Sequence, residues 1–153
     1  MIAAIRVRGT VHVREPLERT MEYLKLDAPN ALVLLPENES TKKMLKKVEN
    51  YITWGEISVE VLAKLLEKRA RIQGNKKLGQ EQLKICNANS FLELAEKVMK
   101  DESYLKKLGV KKPLRMRPPR KGYGREGIKK SFSVGGALGY RGQAINDLIR
   151  RML

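Results

Sequence analysis

The sequence predicts a mixed α and β fold, because strand-like and helix-like segments alternate along its first half. In AAIRVR (residues 3–8), Ala3, Ile5 and Val7 fall on one face of a strand, with Arg6 and Arg8 on the other. A helical pattern follows, and two further strand–helix pairs give the order β-α-β-α-β-α up to residue 73. From residue 111 the chain changes character and becomes basic and rich in proline and glycine.

Each of the later elements in this first half has its own sequence support. The first helix begins near Pro16, which is tolerated in a first turn. ALVLL (residues 31–35) is a continuous apolar run, typical of a central strand that is buried on both faces. A helix capped by Ser40 or Thr41 comes next, and YITWGEI (residues 51–57) returns to strand-favouring residues before the third helix.

The middle of the chain predicts further helices. GNKKLGQ (residues 74–80) is interpreted as an exposed basic loop. Ser90 and Glu93 have the spacing of a capping box at the start of a helix. Another short helical stretch should end at Gly109, because glycine favours the conformation that closes a helix.

Charge is the dominant feature of the composition. The 153 residues include 32 Lys and Arg against 17 Asp and Glu, a net charge of +15. Residues 111–153 hold 12 basic and 2 acidic residues, so two thirds of the excess lies in little more than a quarter of the chain. Such a surface favours a polyanion as partner. A membrane span is not expected, since the longest strongly apolar run, residues 31–35, is far shorter than the roughly 20 residues required.

The residue types needed for catalysis or metal binding are scarce. His12 is the single histidine and Cys86 the single cysteine, so the chain can form neither an internal disulfide nor an ordinary zinc site. Acidic pairs such as Asp101 and Glu102 lie among lysines, which a solvated helix surface explains. We therefore expect neither enzymatic activity nor a cofactor.

The glycine cluster SFSVGGALGYRG (residues 131–142) suggests a phosphate-binding loop, but its spacing excludes a nucleotide site. A P-loop places Lys and Ser or Thr after its last glycine, whereas Gln143 and Ala144 follow Gly142 here, and the dinucleotide pattern is absent. Two interpretations remain. The glycines either permit a tight turn before a final helix, or let the backbone approach a nucleic acid, with Tyr140 and Arg141 beside it.

The basic segment at residues 111–130 is the strongest candidate for nucleic-acid binding. Its prolines and glycines prevent a single long helix, so it can lie extended along phosphates, while Tyr123, Phe132 and Tyr140 can stack on bases. The alternative is a disordered solubilising tail. We expect this segment to be poorly anchored without RNA. Trp54 is interpreted as a core residue rather than a stacking platform.

The candidate RNA-binding residues form two groups. The first comes from the basic segment and the glycine cluster, and the second from a patch around the end of the third helix, where an exposed helix end is an equally good interpretation. In full they are Arg115, Arg117, Arg120, Lys121, Arg125, Lys129, Lys130, Gly135, Gly136, Tyr140 and Arg141, and then Arg69, Arg71, Lys76 and Lys77.

These residues resemble a known family. Arg115, PPRKG (residues 118–122) and FSVGGALGYRGQAINDLIRRM (residues 132–152) are similar to C-terminal motifs of the large-subunit ribosomal protein numbered thirty in bacteria and archaea and seven in eukaryotes, in its archaeal form. The spacing of apolar residues from Thr20 to Ile52 is similar to the signature of the same family. The resemblance extends over nearly the whole chain.

The resemblance implies a fold and a role. The fold would be α+β: a ferredoxin-like β-α-β-α-β core at residues 1–60 with a three-stranded antiparallel sheet and helices on one face. Additional helices would occupy residues 58–110, and a basic extension with a C-terminal helix residues 111–153. The role would be that of a non-enzymatic, cytoplasmic constituent of the large ribosomal subunit, which binds its rRNA close to the 5S rRNA and to neighbouring ribosomal proteins. The alternatives are a free RNA-binding module in RNA processing or regulation and, more remotely, a phosphoryl-transfer enzyme.

Overall fold

The computed structural model describes residues 1–86 and 88–153, without the side chains at positions 80, 81 and 84. Strands and helices alternate in the first 69 residues, helices follow, and two very short strands come late in the chain. In order the elements are β1 Ile2–Arg6, α1 Glu15–Tyr23, β2 Ala31–Leu35, α2 Glu39–Lys47, β3 Ile52–Glu56, α3 Val59–Arg69, α4 Gln80–Ile85, α5 Phe91–Lys100, α6 Ser103–Lys107, β4 Leu114–Arg115, β5 Gly139–Tyr140 and α7 Ile145–Met152.

The sheet has five strands in the order β4-β2-β1-β3-β5, and not the three that were expected. β1 lies at its centre and pairs antiparallel with β2 and β3, which gives the expected three-stranded unit. β4 adds antiparallel to β2, and β5 adds parallel to β3. Both outer strands come from residues 111–153. The predicted extension therefore covers the two edges that a three-stranded sheet would leave unpaired.

Helices cover both faces of the sheet, which corrects the expectation of helices on one face. Ile2 and Ala4 pack with residues of α1 and α2, including Met21 and Leu45. Ala3 and Ile5 face the other way and pack with α3, α5 and α7. The apolar stripes of the added helices need a surface to bury them, and the second face of the sheet supplies it.

Arg6 lies on the same face of the sheet as Ile2 and Ala4, the face that α1 and α2 cover. Arg6 lies on the opposite face from Ile5, as the alternation predicts, but it is only 2% exposed. Its guanidinium donates hydrogen bonds to the carbonyl oxygens of Leu26 at 2.7 Å, Asp27 at 3.1 Å and Gly9 at 3.0 Å. Burial lowers the pKa of Arg6, and the carbonyl oxygens supply the partners that a buried cation requires.

The last helix is held by residues far away in the sequence. α7 buries Ile145, Leu148, Ile149 and Met152, as its helical spacing predicts. The Asn146 side chain accepts a hydrogen bond from the Ser58 backbone at 2.9 Å and donates one to the carbonyl of Glu56 at 3.0 Å. The end of the chain is thereby fixed against the junction of β3 and α3.

Candidate nucleic-acid interface

The first half of the basic segment lies against the folded core. Leu114, Met116 and Pro119 are buried, whereas the intervening Arg115 and Arg117 are exposed. Because of this alternation, the apolar side chains pack against the core and hold the extended backbone in place, while the arginines point to solvent.

Backbone hydrogen bonds hold the same stretch in place. The Met116 N–H donates to the carbonyl of Asn30 at 3.1 Å, and the Arg117 N–H donates to that of Met152 at 3.2 Å. The Arg120 N–H donates to the carbonyl of Arg151 at 3.1 Å. Residues 114–120 are thus bonded to the folded core, while the poor anchoring expected of residues 111–130 in the absence of RNA stays a prediction. The edge of β2 and the end of α7 both leave backbone carbonyls to be satisfied, and this stretch satisfies them.

A basic cleft forms where the end of α3 meets the start of this segment. The cleft has a volume of about 260 Å³. We call it the basic cleft; the residues that line it are Arg69, Arg71, Asn75, Lys111, Pro113, Leu114 and Arg115. Residues of both predicted groups, some 45 positions apart in sequence, therefore face one space. Lys111 was not among the predicted residues, although it belongs to the same basic run and its charge alone could have identified it.

Short backbone contacts build the cleft. The Lys111 N–H donates to the carbonyl of Arg71 at 2.8 Å and joins the basic segment to the chain after α3. The Ile72 N–H donates to the carbonyl of Lys76 at 3.0 Å, and Arg71 forms a β-bridge with Lys77. This turn places the exposed Lys76 and Lys77 beside Arg71, so the predicted second patch adjoins the cleft.

The cleft carries several positive charges, and its described lining includes no acidic side chain. None of its cations forms an ion pair with an Asp or Glu side chain that the structure describes. Burial lowers the pKa of Arg69, and the nearby Arg117 and Arg71 lower it further. Arg69 donates to the backbone oxygens of Met152 at 3.3 Å and Leu153 at 2.7 Å. Crowded like charges of this kind favour an anionic ligand that neutralises them.

The glycine cluster forms a loop whose glycines pack against the residues at the start of the same loop. The Gly136 N–H donates to the carbonyl of Ser131 at 2.8 Å, and the Ala137 N–H donates to that of Lys130 at 3.0 Å. A Cβ added at Gly136 would lie 2.2 Å from the Lys130 carbonyl oxygen, and Gly135 has a φ of +86°. Packing within the loop therefore explains both glycines, which supports the tight-turn interpretation. Their approach to RNA stays a prediction.

Arg141 points into the protein and not into solvent. It is 7% exposed, and its guanidinium donates to Thr53 Oγ1 at 3.3 Å and to the carbonyl of Ala137 at 3.1 Å. The guanidinium carbon lies 4.4 Å from the centre of the Phe132 ring. Burial lowers the pKa of Arg141. In this position Arg141 fixes the glycine loop to β3, and it does not present its charge to a phosphate.

The aromatic residues divide between packing and surface. Trp54 is buried, as expected of a core residue, and its ring centre lies 4.7 Å from that of Tyr140. Tyr140 is half exposed and donates from its hydroxyl to Glu56 Oε1 at 2.8 Å, which raises its pKa. The hydroxyl of Tyr123 donates to Asn30 Oδ1, and burial raises the pKa of Tyr123 to about 12. Tyr140 is thus the more accessible of the two for stacking.

The remaining predicted residues are all exposed on the surface. Lys130 pairs with Glu126 at 2.6 Å, so part of its charge is compensated. The others project from the anchored stretch and from the loop between it and the glycine cluster; they are Arg120, Lys121, Arg125 and Lys129.

Arg141→Met is expected to lower the free energy of unfolding by about 2 kcal/mol, because the carbonyl of Ala137 and the Thr53 hydroxyl lose a buried partner. Urea unfolding followed by circular dichroism measures the change. Arg125→Met removes an exposed arginine of the neighbouring loop and serves as the control, with no measurable loss expected. Equal stability of the two variants would show that the buried contacts of Arg141 do not stabilise the fold.

Fold and cleft together define a class: a small α+β protein whose basic cleft is suited to a polyanion. Within the part of the chain that the structure describes, no helix is long and apolar enough to cross a membrane. Comparison with known proteins makes the class specific.

A profile of the family described as "Ribosomal protein L30p/L7e" matches residues 2–52. The chain is 50% identical to large ribosomal subunit protein uL30 of Nanoarchaeum equitans, over 100% of this chain and 99% of that protein. It is 48% identical to the protein of the same name from Methanococcus vannielii, over 99% and 98%, and 43% identical to that from Thermoplasma volcanium, over 100% and 93%. The chain therefore belongs to the uL30 family of structural, non-enzymatic ribosomal proteins, which confirms the family expected from the sequence.

Proposed function

We propose that this chain, as a constituent of the large ribosomal subunit, binds and stabilises rRNA through the basic cleft and the exposed arginines beside it. The observation that carries the proposal is the convergence of Arg69 and Arg71 with Lys111 and Arg115 in one cleft whose described lining includes no acidic side chain. Family membership supplies the context, a ribosomal particle in the cytoplasm, and the cleft supplies the contact.

The geometry suits a phosphate backbone better than base edges. Guanidinium groups donate paired hydrogen bonds to phosphate oxygens, so we expect the cations of the cleft to contact phosphates rather than bases. Arg117 and Arg120 continue the line of charge along the anchored stretch. Because folded RNA is recognised mainly through shape, phosphates and 2′-hydroxyls, we expect little dependence on base sequence.

Two finer parts of the proposal depend on the family resemblance alone. We propose that the bound rRNA lies close to the 5S rRNA and that neighbouring ribosomal proteins contact this chain. Crosslinking of intact large subunits, followed by identification of the RNA and peptides joined to residues 111–153, tests both. Crosslinks to large-subunit rRNA but none to 5S rRNA would contradict the proposed proximity.

The salt dependence of rRNA binding tests the electrostatic mechanism. The affinity of the purified full chain for refolded large-subunit rRNA should fall steeply with salt, with a log–log slope of about 0.7–0.9 for each phosphate contacted. Filter binding between 50 mM and 300 mM salt gives this slope. A nearly flat dependence would contradict phosphate neutralisation by the cleft.

Sedimentation distinguishes a constituent of the subunit from a free RNA-binding module. A constituent should remain with large subunits after a high-salt wash, whereas a loosely bound factor should be released. Release together with the other weakly held factors would contradict the structural role proposed here.

A further inference from the structure

A second surface, on the opposite side of the sheet from α3, carries an exposed aromatic ring among cations. Tyr23 is the last residue of α1 and is 84% exposed, the highest exposure among the large hydrophobic side chains described. Arg19 and Lys25 line a depression on one side of it, and Arg19 and Lys47 line another. We call Tyr23, Arg19, Lys25 and Lys47 the Tyr23 patch.

Packing of the fold does not account for the position of Tyr23. α1 buries Thr20 and Met21, and Leu24 follows them into the core, so Tyr23 lies off the buried stripe. Among the residues that the structure describes, none forms a hydrogen bond with its hydroxyl or a ring contact with it. The ring projects from the last position of a regular helix, so its faces are open to a flat partner.

The lysine that follows this helix occupies a conformation that normally favours glycine. Lys25 has a φ of +59°, its N–H donates to the carbonyl of Glu22 at 2.9 Å, and the Leu26 N–H donates to that of Met21 at 2.8 Å. This is the helix ending in which glycine is the usual residue at the left-handed position. Lysine there is strained, and strained residues are concentrated at functional sites. Lys25 and Tyr23 line the same depression.

The charges of the patch favour an anionic partner. Arg19 pairs with Glu15 at 2.5 Å, which compensates one acid of the surface. Lys25 and Lys47 form no ion pair with any described residue, and Glu22 is the one further acid in the lining. The patch therefore keeps a net positive charge around an exposed ring.

We propose that the Tyr23 patch binds an unpaired nucleotide of rRNA, with the base stacked on Tyr23 and its flanking phosphates bound by Lys25 and Lys47. Exposed aromatic rings beside cations bind single-stranded nucleotides in this way, since every base has a face that can stack. The inference rests on the proposed function, because it requires the chain to contact rRNA. It adds a second contact on the other helical layer, so the protein joins two RNA segments across its sheet.

Substitution at Tyr23 separates stacking from charge. With refolded large-subunit rRNA as the probe, Tyr23→Leu should lower the affinity of the full chain roughly tenfold and leave the salt slope unchanged. Tyr23→Phe keeps the ring and should bind as the unmodified protein does. Irradiation of the complex at 254 nm, followed by mass spectrometry, should find a nucleotide joined to the peptide that contains Tyr23.

Lys25→Gly supplies a readout that a merely structural residue would not give. Relief of the left-handed strain should raise the urea midpoint of unfolding. Loss of the cation should lower both the rRNA affinity and its salt slope, the latter by about 0.7–0.9. Stability would then rise while affinity falls. A variant that loses both stability and affinity, or one that keeps its affinity, would contradict the proposal.

The outcomes distinguish this site from the basic cleft. If Arg71→Gln with Arg115→Gln weakens rRNA binding but Tyr23→Leu does not, the cleft stands and the Tyr23 patch is overturned. If Tyr23→Leu binds rRNA normally yet is lost from washed large subunits, the patch contacts a protein, and the proposal of a nucleotide site is again overturned. If neither set of variants changes rRNA binding, both the Tyr23 patch and the proposed function of the basic cleft are overturned.

Discussion

Gly55→Ala should lower the free energy of unfolding by about 3 kcal/mol, the largest loss of stability that we expect from adding one methyl group to this chain. A Cβ at Gly55 would lie 2.1 Å from the carbonyl oxygen of Gly142 and 3.0 Å from its carbonyl carbon. Both atoms belong to backbone, so no side-chain rotation can relieve the contact.

Neither partner in this contact is free to move. Gly55 lies in β3 opposite Ala3 of the central strand, and Gly142 begins the turn that leads into α7. The Arg141 N–H also donates to the carbonyl of Trp54 at 2.9 Å, which fixes the two segments against each other. Urea unfolding of Gly55→Ala should therefore show a lower midpoint.

Gly9→Ala is the matched control for this prediction. An added Cβ at Gly9 meets nothing within 4 Å, and its φ is not in the left-handed range. Its midpoint should equal or slightly exceed that of the unmodified protein, because alanine restricts the unfolded chain. Similar midpoints for the two variants would show that β3 and the turn before α7 do not approach each other as closely as described.

The double variant Arg71→Gln with Arg115→Gln should weaken binding to large-subunit rRNA roughly a hundredfold. Each arginine can make a charge-assisted hydrogen bond to phosphate, worth about 1.5 kcal/mol, and the two come from separate segments that meet in the cleft. The salt slope of binding should also fall by about 1.5, since two phosphate contacts are lost.

Exposure makes this test specific for binding rather than folding. Arg115 is exposed, and among the described residues the Arg71 side chain donates only to the neighbouring carbonyl of Ala70, at 3.3 Å. Thermal unfolding of the double variant should therefore match that of the unmodified protein. Lys100→Gln removes an exposed cation at the end of α5, outside the cleft, and should leave the affinity nearly unchanged. Equal affinities of the double variant and this control would exclude the cleft as an rRNA contact.

The first three strands and their helices could be predicted from the sequence because their signals are local. Alternation marks β1, the continuous apolar run marks β2, and helical spacing marks α1 and α3. The cap of α5 could be predicted equally well from the spacing of Ser90 and Glu93. In the structure, Ser90 Oγ accepts from the Glu93 N–H at 3.2 Å and the Glu93 carboxylate accepts from the Asn89 N–H at 2.8 Å. Each of these features depends on neighbours within a few positions.

The outer strands could not be predicted in this way. β4 and β5 have two residues each, too few to show a period, and they form because the edges of β2 and β3 are available to them. The same limit applies to the candidate site. The sequence identified Arg69, Arg71 and Arg115 by charge, but their shared cleft depends on contacts between distant segments.

By itself the sequence determined the charge, the alternation of strands and helices, the absence of a nucleotide motif and the family. The tertiary structure decided which cations are available. It buries Arg6 and Arg141 as hydrogen-bond donors to backbone carbonyls and leaves Arg115 in the cleft and Lys25 beside an exposed ring. The physical reason is that an arginine carries the same charge wherever it lies, whereas its role depends on whether carbonyl groups or solvent surround it once both faces of the sheet are covered.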